Sequence, residues 1–158
     1  MRTRSRCTSL LLAAFLASSG FVLAGCTGFF DSYPNADEPA DLVGTWTHAA
    51  GRITLNEDGS FEMTDMPKWV ALGDSSGSGS SETVSCTGTW TLSVEIQNFW
   101  LSSEAADCGG GGFATGRQGE MTIAFGIDSG SGDPRCYELV REDSNLTPRG
   151  YEDCLQYN

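Results

Sequence analysis

Basic residues are scarce in this chain. Its 158 residues include nine Lys and Arg against 21 Asp and Glu, which gives a formal net charge of −12. Proteins that bind phosphate backbones or anionic lipid headgroups do so through clusters of Lys and Arg. The composition therefore excludes a nucleic-acid-binding function.

Histidine is almost absent, with His48 as the single copy. A catalytic serine triad would have to use it, and the Gly/Ser-rich segments 77–79 and 130–132 are too low in complexity to hold a nucleophile in place. A zinc site would lack its usual ligand spacing, because His48 is far in sequence from the widely separated cysteines. We therefore expect no catalytic residues, no metal and no cofactor, and a protein that is not an enzyme.

Long apolar runs are also missing near the N-terminus, where Leu10–Leu16 is too short to span a bilayer. Arg2, Arg4 and Arg6 precede this stretch and small residues follow it. A basic region, a short apolar region and small residues in this order are typical of an export signal. Residues 1–25 are therefore predicted to be a signal peptide.

The tetrapeptide Leu23-Ala24-Gly25-Cys26 resembles the lipobox of bacterial lipoproteins. The resemblance implies diacylglycerol on the sulfur of Cys26 and cleavage of the chain just before it. Two acyl chains hold a protein stably on a membrane. The expected location is the extracytoplasmic face of the cell membrane, with membrane lipid as partner through diacylated Cys26. The alternative is an ordinary signal peptide followed by an unrelated Cys.

Residues 27–41 contain two prolines and four acidic groups without hydrophobic periodicity. This composition predicts a flexible acidic tether rather than part of a core. Loss of the three signal-peptide arginines leaves six basic groups against 21 acidic ones, a formal charge of −15. The predicted organisation is a signal peptide at 1–25, a lipidated Cys and tether at 26–41, and a single folded domain at 42–158.

Cysteine usage agrees with export. Cys7 leaves with the signal and Cys26 takes lipid, so four of the six cysteines remain. An even number in an oxidising compartment predicts a disulfide framework, for which four cysteines allow three pairings. The favoured pairs close loops of about twenty residues around Gly-rich or irregular segments. They are Cys86–Cys108 and Cys136–Cys154.

Apolar and polar residues alternate with period two through most of the remaining chain. Ile53 and Leu55 predict one arm of a hairpin and Phe61 and Met63 the other, with a turn at 56–59 between them. Residues 121–127 show the clearest alternation. Further strands are predicted at 84–86, 90–92, 96–101 and 137–141, with flexible Gly/Ser connections at 74–81, 108–112 and 128–133.

The fold class is therefore all-β, because no stretch of twelve residues has helical periodicity. Seven or eight short antiparallel strands predict a small β-barrel, with a β-sandwich as the alternative. The acidic loops, including 128–133, leave weak calcium binding open.

The tetrapeptide GTWT occurs at 44–47 and again at 88–91. The first copy, with the hairpin that follows it, resembles the opening of calycin barrels, the lipocalins and avidins, in which a G-x-W begins the first strand. Where avidins place polar groups for biotin this chain has His48 and Arg52, so biotin binding is not implied. The overall layout also resembles small lipoproteins of actinobacteria, which implies a location and an architecture but no activity.

Two non-enzymatic functions remain open. A calycin-like barrel would bind a small apolar or amphipathic ligand, and the candidate ligand-binding residues are Trp46, Trp90 and Trp100. Alternatively, the repeated Trp packs a core, since buried aromatic residues belong to the core more often than to a site. The domain would then be a closed-core envelope module for interaction with another protein or for structural support.

Replacement of Cys26 by Ala tests the anchor. The variant should lose acyl labelling and be released or remain unprocessed, because its sulfur is the only one that the lipobox places for lipidation. Membrane fractionation and labelling with radioactive palmitate in a lipoprotein-processing bacterium give the readout, with Cys7→Ala as the matched control. A Cys26→Ala chain that fractionates with membranes like the wild type would contradict the assignment.

Overall fold

The computed structural model describes residues 35–73, 80–105, 108–127 and 135–149. Eight strands pair in chain order, each antiparallel to its neighbours, and the last pairs with the first to close a barrel. The predicted all-β barrel is confirmed, and the sandwich alternative is wrong because one sheet closes on itself. The strands are β1 (Gly44–His48), β2 (Gly51–Leu55), β3 (Ser60–Pro67), β4 (Thr83–Ser93), β5 (Asn98–Ser102), β6 (Gly109–Arg117), β7 (Glu120–Ile127) and β8 (Arg135–Arg141).

The predicted hairpin is β2 and β3. Ile53 pairs with Met63 and Leu55 with Phe61, and all four side chains are buried. Within the turn, the Ser60 hydroxyl and backbone N–H both donate to the Asp58 carboxylate, at 2.6 and 2.9 Å. Both hydrogen bonds lower the pKa of the Asp58 carboxyl, and the bond from the Ser60 hydroxyl has the larger effect. The local sequence therefore sets the register of this hairpin.

Large side chains fill the inside of the barrel. Every strand except β6 and β4 contributes at least one of the largest fully buried residues, and β4 adds Trp90. Phe99 and Phe125 meet edge to face, with ring centroids 5.5 Å apart. Barrels of eight strands are just wide enough for their own side chains to fill. The twelve largest fully buried residues are Trp46, Phe61, Phe99, Phe125, Leu42, Ile53, Leu55, Met63, Met66, Ile123, Leu139 and Val70.

The N-terminal segment covers one end of the barrel. Ala36 is buried there, and its backbone N–H and C=O both bond the side-chain amide of Gln97, at 2.7 and 3.0 Å. A 3₁₀ helix, Pro39–Leu42, follows and leads into β1. The segment therefore crosses from the β4–β5 connection to β1. Residues 36–41, which the sequence assigned to the tether, thus pack on the folded domain, while residues 26–34 of the predicted tether lie outside the described residues.

A one-turn helix covers the opposite end. This helix, α1 (Lys68–Ala71), follows β3 and buries Val70 and Ala71. Trp69 contacts Tyr137 of β8 edge to face, at 5.7 Å between ring centroids. Since α1 leaves β3 and reaches β8, it lies across the barrel mouth.

The glycine run from Gly109 to Gly112 is not the flexible connection that the sequence predicts. It begins β6, with Gly111 opposite Trp100 and Gly112 opposite Phe99. A Cβ at Gly112 would lie 2.5 Å from the Phe99 ring, and one at Gly111 would lie 2.8 Å from the Trp100 ring. The glycines therefore make room for two aromatic rings that lie across the strand.

Two predicted strand boundaries are also wrong. The strand expected at 96–101 begins at Asn98, because Val94–Ile96 form a 3₁₀ turn and Gln97 is left-handed, with φ of 55°. The separate strands expected at 84–86 and 90–92 are parts of the single strand β4. The predicted connection at 128–133, and residues 74–79 of the one predicted at 74–81, lie outside the described residues.

The predicted disulfide Cys86–Cys108 forms and joins β4 to the start of β6, with the two Cα atoms 6.4 Å apart. Cys136 is buried in β8 and is also disulfide-bonded. Cys154 lies outside the described residues, so the pairing Cys136–Cys154 stays a prediction.

Replacing Gly112 by Ala should destabilise the domain by about 1–3 kcal/mol, because the added methyl overlaps a buried ring. Gly126→Ala is the matched control on the adjacent strand, where a Cβ would come no closer than 3.9 Å to its neighbours. Its effect should stay within about 0.5 kcal/mol, as for surface substitutions. Urea unfolding followed by circular dichroism measures both. Equal stabilities of the two variants would contradict the packing role of Gly112.

Candidate functional site

The three tryptophans proposed to bind ligand do not converge. Trp46 is fully buried, and its indole N–H donates to the Leu42 carbonyl at 2.9 Å. The guanidinium carbon of Arg141 lies 4.5 Å from the centre of its ring. Trp46 is therefore enclosed by the 3₁₀ helix that precedes β1 and by the last strand, β8.

Trp90, the tryptophan of the second GTWT, also points inward and is 5% exposed. Its indole N–H donates to the Asn56 carbonyl at 3.1 Å, so the repeated motif makes the same kind of contact twice. Both glycines of the repeat also make room for a neighbour: a Cβ at Gly44 would lie 2.7 Å from Arg141 Nη1, and one at Gly88 would lie 2.7 Å from the Phe61 ring. The repeat therefore packs the barrel in both places.

Trp90 borders a shallow groove of about 650 Å³ at the barrel end that carries the 3₁₀ helix. Pro39, Val43 and Leu92 give it apolar walls, and the turn Glu57–Gly59 gives it an acidic rim. Of the three candidate tryptophans, Trp90 alone lines this groove.

Trp100 lies on the outside of the barrel and is 54% exposed. It sits between Thr91 of β4 and Gly111 of β6 in the sheet. The ring atom Cε3 lies 2.8 Å from the position that a Cβ of Gly111 would take, so the missing side chain of Gly111 makes room for the indole. About half of the Trp100 surface remains open to solvent.

A larger groove of about 920 Å³ runs along the outer face of β3 and β4 and the end of β5. The alternating sequence of β4 turns five hydroxyl side chains outward and places small or apolar residues inward. We call this surface the β4 groove. Its polar lining includes Ser60, Glu62, Ser85, Thr87, Thr89 and Ser102.

His48 is held in a structural contact. Its Nδ1 lies 2.6 Å from the Glu138 carbonyl oxygen, and its ring stacks on Tyr137 with centroids 4.1 Å apart. The Tyr137 hydroxyl donates to the His48 carbonyl at 3.2 Å, and burial raises the pKa of Tyr137 to about 12. These contacts tie β1 to β8. The part of the chain that the structure describes contains no group of three His, Cys, Asp or Glu placed to hold a metal.

The sequence analysis missed a buried ion pair on the outer face of β6 and β8. Arg117 Nη2 lies 3.1 Å from Glu138 Oε2, and the Glu138 side chain is only 4% exposed. The segment after β8 covers this pair: the Arg149 N–H donates to Glu138 at 2.7 Å, and Arg117 donates to the Thr147 carbonyl at 2.6 Å. A sequence signal was available, since residues 136–140 include only one polar residue, Glu138, and so lack the polar alternate positions of a strand exposed on one face.

The two sides of the barrel therefore differ. The outer face of β6–β8 is covered by residues 144–149, whereas the outer face of β3–β5 carries the β4 groove and Trp100. In the described ranges, no helix is long and apolar enough to cross a membrane. Cys26 lies outside these ranges.

No family model, curated protein sequence or solved structure gives a significant match to the chain.

Proposed function

We propose that this protein is a lipid-anchored module of the extracytoplasmic membrane face, with a closed core and a non-enzymatic interaction role carried by its outer surface. The observation that supports the closed core is the packing of the barrel interior. Four large aromatic side chains, those of Trp46, Phe61, Phe99 and Phe125, are fully buried there. Barrels that carry a ligand keep this volume open.

Coverage of both barrel ends supports the same proposal. The 3₁₀ helix and the buried Leu42 lie across one end, while α1 buries Val70 and Ala71 at the other. A ligand would have to displace one of these elements to enter. Interaction through the outer surface needs no such rearrangement.

The anchor and location rest on the lipobox resemblance of residues 23–26 and on cysteine chemistry. The disulfide Cys86–Cys108 fits an oxidising compartment, because disulfides persist in exported proteins and are rare in the cytosol. The acidic surplus suits a domain held near a membrane surface without adsorbing to anionic headgroups. Diacylated Cys26 is the proposed attachment.

Binding of a small apolar ligand is the second candidate. The groove beside Trp90 favours it, since Pro39, Val43 and Leu92 offer apolar contact. The calycin likeness supports it too, because the Trp of the first-strand G-x-W packs at one end of the barrel. This site would lie at the barrel end and not inside it.

Fluorescence titration with the neutral lipophilic probes Nile red and N-phenylnaphthylamine separates the two candidates. A module without an apolar ligand predicts no saturable change in probe or tryptophan emission for the purified chain. Saturable binding of either probe would instead favour the apolar-ligand candidate. In that case Trp90→Phe, which keeps a buried ring, should weaken binding if the groove is the site, whereas Trp69→Phe at the opposite barrel end is the matched control.

A further inference from the structure

The outer face of β3–β5 combines an open aromatic ring with a row of hydroxyl groups. Trp100 is one of four strongly exposed large apolar residues in the described ranges, and the only aromatic one. Its six-membered ring lies beside Gly111, where a Cβ would be 2.8 Å from the ring atom Cε3. A single exposed apolar residue is ordinary on a protein surface, so Trp100 indicates a binding site only in combination with the hydroxyl groups beside it.

Trp100 and the β4 groove form one continuous surface. Trp100 pairs with Thr91, and two residues further along β5, Ser102 pairs with Thr89. Ser102 and Thr89 both line the groove. Outward side chains on a strand recur every second residue, so Trp100 stands about 7 Å from Ser102 along the strand. From Thr91 to Ser85 the surface extends about 20 Å, enough for several sugar residues.

The chemistry of this surface fits a neutral glycan. Hydroxyl side chains both donate and accept hydrogen bonds, which matches the hydroxyl groups around a sugar ring. The flat face of a pyranose presents C–H groups, and the negative face of an indole ring attracts their positive edge. None of the residues lining the β4 groove is basic, while Glu62 and Glu104 are acidic. An anionic polymer would therefore be repelled.

Other macromolecules fit this surface less well. A peptide that adds a strand needs a free sheet edge, and this sheet is closed. Protein interfaces have cores enriched in several aromatic residues and Met. The outer face of β3–β5 offers one Trp among Ser, Thr and Glu.

We propose that the β4 groove and Trp100 form a binding site for a neutral polysaccharide, with Trp100 stacking on one sugar ring and the β4 hydroxyls bonding the next ones. The site goes beyond the closed-core proposal and requires neither the lipid anchor nor a filled barrel. A glycan ligand would give the module a partner of defined chemistry in a cell envelope.

Titration calorimetry with two neutral hexasaccharides, hexa-N-acetylchitohexaose and cellohexaose, tests the site. The full-length chain is used in a detergent without sugar headgroups. Saturable binding of at least one of them is expected, with no binding of hexagalacturonate, which is anionic. Trp100→Ala should weaken binding about tenfold or more, as loss of a central aromatic contact does. Ile96→Ala is the matched control, because it removes another strongly exposed apolar side chain, outside the β4 groove, and should leave affinity unchanged.

Thr87→Val adds a test that does not depend on Trp100, since it removes one outward hydroxyl at nearly constant shape and should weaken binding several-fold. Thermal unfolding checks that each variant is folded. If Trp100→Ala does not fold, the affinity of Thr87→Val tests the site instead. Absence of saturable binding of both neutral hexasaccharides overturns the glycan site. The site is also overturned if the folded Trp100→Ala and Thr87→Val variants bind with unchanged affinity, or if Ile96→Ala loses as much affinity as they do. Any of these results leaves the closed-core proposal standing, because the barrel interior takes no part in the experiment.

Discussion

The seam between β1 and β8, where Arg141 stacks on Trp46 and Tyr137 stacks on His48, is the constraint on which the closed barrel depends. The pairing of β1 with β8 is short, with only Trp46–Arg141 and Thr47–Val140 in register. Arg141 compensates by packing its guanidinium on the Trp46 ring and donating to the carbonyls of Val43 and Asp41. One side chain therefore joins the last strand to the first strand and to the segment that precedes it.

The closed barrel in turn bears on the proposed function. An interior filled by large side chains is rigid, and the proposed interaction is therefore assigned to the outer surface. That surface is asymmetric, because residues 144–149 cover β6–β8 and bury the Arg117–Glu138 pair. Further hydrogen bonds offset part of the cost of burying such a pair, and here Arg149 donates to Glu138 and Arg117 donates to Thr147, while Arg117 Nε is buried without a hydrogen-bond partner. The outer face of β3–β5 remains open.

The sequence predicted what depends on local pattern. Period-two alternation located β2, β3 and β7, and the preference for pairs that close short loops selected Cys86–Cys108. Prediction from the sequence failed where contacts between residues in distant parts of the chain determine the local structure. The sequence of Gly109–Gly112 is typical of a flexible loop. The reason that these glycines form a strand is found only in the neighbouring strand β5, whose Phe99 and Trp100 rings need the space.

The candidate site was only partly predictable for the same reason. Trp100 was named from its residue type, but its exposure follows from its outward position on β5 and the missing side chain of Gly111. The alternating hydroxyls of β4 were visible in the sequence as Thr83, Ser85, Thr87, Thr89 and Thr91. Their significance appears only when Ser102 of the neighbouring strand joins them.

A double-mutant cycle on Trp46 and Arg141 tests the central claim most directly. Urea unfolding of Trp46→Leu, Arg141→Ala and the double variant gives the coupling free energy between the two side chains. The account predicts a favourable coupling of about 1 kcal/mol or more, within the range for residues in contact. Arg52→Ala, which breaks only the exposed ion pair with Glu142, should cost less than about 1 kcal/mol. Additive effects of the Trp46 and Arg141 substitutions would contradict the claim that this contact stabilises the seam between β1 and β8.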